Sequence, residues 1–161
     1  MIEKEKIEYA TAVSFIELYN KLHKSSYKVV KVTDAPDILC EDDNTGQTLK
    51  LEITLSEDRD NDIVASLGRS NARDINVVAA ENGKVDCLQI GPYEKMFNGI
   101  KNKLRKDYGK NVALVVRHVS GIDWDFDLIL ESLRKSLDLS RPIYDKGIWI
   151  LNNSCNRIYK L

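Results

Sequence analysis

The segment 112–119, VALVVRHV, constrains this chain more than any other stretch. A half-buried strand alternates apolar and polar residues. The unbroken run Val112-Ala113-Leu114-Val115-Val116 has no side to offer water and must be covered on both faces. It is too short to cross a bilayer as a helix, which takes about 20 apolar residues. The rest of the chain must therefore supply helices above and below a sheet.

Amphipathic segments of the right length are present. Residues 3–23 are expected to be helical: at about 100° per residue, Ile7, Thr11, Ala12, Phe15, Leu18, Tyr19 and Leu22 share one broad face. Three strands follow at 27–34 (YKVVKVTD), 37–41 (DILCE) and 48–54 (TLKLEIT). Ala35-Pro36 breaks the first, because proline donates no ladder hydrogen bond, and the turn formers DDNTGQ separate the other two. SEDRDNDIVASLG (56–68) is expected to form a helix, with Ser56 as N-cap, acids in its first turn and Gly68 past its end. Asn82-Gly83 marks a hairpin or a loose connection within 69–91. Residues 94–108 form a helix with the stripe Phe97, Ile100, Leu104 and Tyr108, stopped by Gly109. A further helix is expected over 125–139, and strands 147–151 and 157–161 flank an Asn152-Asn153 turn. The expected fold is α/β, a central mixed β-sheet flanked by α-helices. Its 161 residues form a single domain with an insertion around 56–92.

Composition removes several classes. With 43% hydrophobic residues the chain can bury a core without disulfides or a structural metal. No apolar stretch approaches the length of a membrane span, and the charged start MIEKEKIEYA is unlike a secretory signal. Three scattered cysteines, Cys40, Cys87 and Cys155, fit a reducing cytoplasm better than a disulfide framework or a zinc knuckle. Lys+Arg 24 against Asp+Glu 25 gives no global field that would name a partner. The acidic run Glu57, Asp58, Asp60, Asp62 lacks the glycine and terminal glutamate of a calcium loop. No phosphate loop, dinucleotide fingerprint or nucleophile elbow is present.

The chemistry-bearing residues lie at Pro36-Asp37 and Leu51-Glu52-Ile53-Thr54. If strands 37–41 and 48–54 form a hairpin centred between Asn44 and Thr45, opposed residues have numbers summing to 89. Asp37 then lies across from Glu52. Opposed Cβ atoms on a ladder are about 4.5–5.5 Å apart. Two carboxylates so close repel unless one holds a proton or a cation sits between them, and a hard ion such as Mg²⁺ is the natural bridge. Glu8 adds a third acid, because it falls on the apolar face of the first helix, where an unpaired charge is costly.

On these residues the chain resembles the PD-(D/E)XK nuclease superfamily, the restriction-endonuclease-like fold. The order is helix with glutamate, strand, Pro36-Asp37, turn, strand ending in Glu52-Ile53-Thr54, helix, strand. The resemblance implies DNA phosphodiester hydrolysis with Mg²⁺ or Mn²⁺. Asp37, Glu52 and the Ile53 carbonyl would ligate the metal, and Glu8 would assist through a second metal or a water. Thr54 stands where the family's motif has lysine; it would contact the attacking water but brings no positive charge. Some members carry that lysine elsewhere, and Lys50, Lys101 and Lys103 are candidates here. The last two are favoured because the helix after the motif faces the active site in this family. The cluster Lys101, Lys103, Arg105, Lys106, Lys110 would also suit a phosphate backbone. DNA is thus the expected partner, with a homodimer or a partner protein left open. Two rivals remain: a catalytically inactive nuclease-like domain that binds nucleic acid or protein, and an accessory or immunity-type protein on an unrelated α+β fold.

Overall fold

The computed structural model describes residues 2–58, 78–79, 85–86, 92–120 and 124–161. In chain order the elements are α1 (Glu3–His23), β1 (Tyr27–Val32), β2 (Ile38–Asp42), β3 (Thr48–Asp58), β4 (Val78–Ala79) and β5 (Val85–Asp86). They continue with α2 (Pro92–Lys103), β6 (Val112–Ser120), α3 (Phe126–Ser136), β7 (Ile148–Leu151) and β8 (Ile158–Lys160). Six strands form one sheet in the order β1-β2-β3-β6-β7-β8. The β3–β6 and β6–β7 pairs are parallel and the other three antiparallel, so the sheet is mixed and helices flank it.

The apolar run in β6 is buried from both sides, as its composition requires. Val112, Leu114 and Val116 pack into one cluster with Met96 and Ile100 of α2 and Ile129 and Leu133 of α3. Ala113 and Val115 enter a second cluster with Ala12, Phe15, Ile16 and Tyr19 of α1. This alternation makes three layers, α1 on one face and α2 with α3 on the other. On α1 Ile16 is buried, whereas Leu22 is 59% exposed in the last turn. Trp149 lies in the α1-side core, 6.0 Å from Phe15 and 5.8 Å from Tyr19 between ring centroids.

Two expected boundaries move. The strand expected over 48–54 runs on to Asp58, so buried Ser56 pairs with His118 in the sheet and does not cap a helix. The ladder to the nine-residue β6 outweighs the local preference of Ser-Glu-Asp for a helix start. The remainder of the expected 56–68 helix, residues 59–68, lies outside the described residues, as does most of the 56–92 insertion. Within that insertion β4 and β5 pair antiparallel about position 82, Val78 with Asp86 and Ala79 with Val85. In α2, expected to reach 108, the helix ends at Lys103. Arg105 N–H donates to the Asn102 carbonyl and Lys106 N–H to that of Lys103, the tighter three-residue spacing that closes a helix. The chain then turns back and brings Tyr108 to the sheet.

Candidate active site

The β2–β3 hairpin has the register expected of it. Ile38 faces Leu51, Leu39 faces Lys50, Cys40 faces Leu49 and Glu41 faces Thr48, each pair summing to 89. Continuing that register by one residue sets Asp37 against Glu52. Ile38, Leu51 and Ile53 belong to the α1-side core, so alternation sends Glu52 to the face covered by α2. Asp37 Oδ2 accepts the Ile53 N–H at 2.8 Å, fixing its carboxylate at the middle of β3. The turn leading to it is closed by Thr33 N–H, which donates to the Asp37 carbonyl at 2.8 Å.

Glu52 is 3% exposed and Asp37 7%. Glu52 Oε1 accepts from Lys103 Nζ on α2 and, at 2.9 Å, from the Tyr108 hydroxyl. Its other oxygen, Oε2, is buried with no hydrogen-bond partner among the described residues. Glu8 comes from the opposite layer, 6% exposed and bridged at 3.3 Å to Lys4. All of these line one cleft of about 470 Å³, together with Ile53, Thr54 and Lys106. α2 approaches β3 closely here: a Cβ on Gly99 would stand 3.8 Å from Thr54 Oγ1. Glycine at that position lets the helix sit over the strand without a side chain between them.

Burial pushes the Asp37 carboxyl up to about 6. The Ile53 N–H opposes that rise, the neighbouring carboxylates Glu52 and Glu8 add to it, and the Lys103 ammonium counters them. Burial first, and then the hydrogen bond to Glu52, push the Tyr108 phenol up to about 12, so it stays a donor at neutral pH.

The structure thus brings Glu8, Asp37, Glu52, Ile53, Thr54 and Lys103 to one cleft. It does not bring Lys101 there. Two residues apart on a helix means about 200° of rotation, so when Lys103 points to the sheet's carboxylates Lys101 points away. Lys101 lies instead by the Phe97 ring, 5.9 Å from its centroid, in a separate groove with Arg105. Lys50, paired with Leu39, does not line the carboxylate cleft either. The basic cluster expected to act as one surface is divided: Lys103 and Lys106 line the carboxylate cleft, Lys101 and Arg105 the groove. In the sequence Tyr108 reads as part of an apolar stripe, and Lys4 as one more charge of the first helix. The i, i+4 spacing of Lys4 and Glu8 was the available signal for the latter.

Among the described residues no group of three or more His, Cys, Asp or Glu side chains is arranged to hold a metal ion. A hard ion that keeps most of its waters needs fewer protein ligands, one or two carboxylates. The unpartnered Glu52 Oε2 beside the Asp37 carboxylate fits that smaller demand. Fold and cleft together define an α/β protein with a buried carboxylate–lysine–tyrosine cluster at the centre of a mixed sheet. Comparison with protein-family models, with curated proteins and with solved structures gives no match. No helix among the described residues is long and apolar enough to cross a membrane.

Proposed function

We propose that the chain is a restriction-endonuclease-like, metal-dependent nuclease that hydrolyses DNA phosphodiester bonds, with Lys103 supplying the charge that Thr54 lacks. The observation that carries this reading is the contact between Lys103 Nζ and Glu52 in the cleft shared with Asp37, Glu8 and Thr54. Asp37 and Glu52, with the Ile53 carbonyl, would hold Mg²⁺ or Mn²⁺. Bound there, the ion supplies an acidified water and charge neutralisation at phosphorus. Tyr108 and Lys103 both engage Oε1 and so leave Oε2 as the free ligand atom. The Lys103 ammonium, preorganised by that pairing, stabilises negative charge developing on the phosphate. Thr54 orients the attacking water, and Glu8 pairs with the Lys4 ammonium, which also lines the cleft.

Glu52→Gln tests this with little change of shape. Cleavage of DNA in Mg²⁺ should fall by at least about a hundredfold, the scale of a lost transition-state electrostatic contact. A variant as fast as the wild type rules the assignment out.

One observation favours a second reading. Thr54, not a lysine, lines the cleft two residues after Glu52, as expected of a nuclease-like domain that has lost catalysis and binds nucleic acid or protein. On that reading the wild type holds DNA in the presence of Mg²⁺ and never cuts it.

A further inference from the structure

The groove on the other flank of α2 has different chemistry from the carboxylate cleft. It measures about 560 Å³, within the roughly 300–1,000 Å³ of small-molecule sites. Phe97, Leu104 and Leu137 give it an apolar floor, and Lys101, Arg105 and Arg141 bring three cations to it. Its single acid, Asp138, is engaged by Ser140, whose hydroxyl and N–H donate at 2.6 and 3.1 Å. None of the three cations has a carboxylate within 4.0 Å among the described residues, although the Ser140 hydrogen bonds and, to a lesser degree, nearby Arg141 hold the Asp138 carboxyl below the usual range. The Phe97 ring is held in place: it stacks on Tyr93 at 6.4 Å and 26°, and the Tyr93 hydroxyl meets that of Ser132 at 2.8 Å.

We propose that this groove is a binding site for a nucleoside monophosphate, with the base on the Phe97 floor and the phosphate on Arg105 and Arg141. Three cations against one occupied acid match a dianion better than a single carboxylate. Planar guanidinium forks suit phosphate oxygens in paired hydrogen bonds. A bare phosphate would leave the apolar floor uncovered, whereas a base stacks on an aromatic face whatever its sequence. Lys101 Nζ lies over the Phe97 ring, 5.9 Å from its centroid, so the charged and aromatic parts of the groove adjoin, and this exposed side chain must swing aside to admit the base. The proposal does not depend on cleavage in the neighbouring cleft.

Calorimetric titration of the full chain in EDTA, with adenosine 5′-monophosphate, adenosine and inorganic phosphate as separate probes, tests it. The monophosphate should bind at one site, at least about tenfold tighter than either fragment, because each fragment forfeits one class of contact. Arg105→Gln and Arg141→Gln should each weaken it by roughly fivefold or more. Phe97→Leu, which keeps the apolar fill, should narrow the gap between monophosphate and phosphate. Lys28→Gln, on the distant β1 strand, should leave binding unchanged. Far-ultraviolet circular dichroism confirms folding of each variant. No saturable binding, binding indifferent to both arginine substitutions, or tighter binding of an acidic aromatic peptide than of the monophosphate would each overturn it.

Discussion

Asp37 keeps its proton to higher pH in the fold than in the unfolded chain, where it ionises near 3.8, because it is buried beside two other carboxylates. Unfolding between pH 3.8 and about 6 therefore releases a proton, and stability falls as pH rises through that window, then levels off. Asp37→Asn keeps an oxygen for the Ile53 N–H and removes the ionisation. It should be more stable than the wild type at pH 8, by roughly 2–3 kcal/mol, and nearly equal below pH 4, as read by urea denaturation. His118 has the opposite sign. Burial lowers its imidazole to about 3, and its ring lies 4.0 Å from that of Trp124, with neither ring nitrogen hydrogen-bonded among the described residues. The unfolded chain takes up that proton near 6.5, so this contribution to stability is full above 6.5 and lost as pH falls towards 3. In His118→Phe the acid limb between those values should flatten, with Trp124 fluorescence reporting the transition. These residues show what sequence could and could not reveal. Glu8, Asp37 and Glu52 were legible, because an acid on an apolar face or in an apolar strand conflicts with its surroundings. Tyr108 was not, since a tyrosine in an apolar stripe reads as packing until its hydroxyl is seen to meet Glu52.

At the level of elements, the site depends on how closely α2 lies on β3. Gly99 lies at that approach with room for a methyl group, since a Cβ there would stand 3.8 Å from Thr54 Oγ1, an ordinary contact. Gly99→Ala should therefore fold, and be more stable by about 0.5–1 kcal/mol from helix propensity, as a shift in the denaturation midpoint. Gly99→Leu should push α2 off the strand and weaken the Lys103–Glu52 contact, costing about 1–3 kcal/mol in the same measurement. The β2–β3 register could be derived from the turn and the apolar alternation because both are local. The length of β3 could not, because Ser56 lies in the sheet only through pairing with His118, more than sixty residues further along. Likewise, the choice between Lys101 and Lys103 depends on the rotation of α2 about its axis. Tertiary packing fixes that rotation, and the apolar stripe alone left both lysines beside it.

For the molecule as a whole, the five unbroken apolar residues of β6 were enough to require helices on both faces, and the α1 and α2–α3 layers supply them. The layering also explains why the acids meet. β2 and β3 deliver Asp37 and Glu52 from the sheet, α1 brings Glu8 from one layer, and α2 brings Lys103 from the other. The central claim is that these groups hold one divalent ion at Asp37 and Glu52, and calorimetric titration with Mn²⁺ measures it most directly. One saturable site is predicted for the wild type at pH 8, weakening below pH 6 as Asp37 takes up its proton, and absent in Asp37→Asn and Glu52→Gln. No saturable heat in the wild type, or equal binding in all three proteins, would contradict the account.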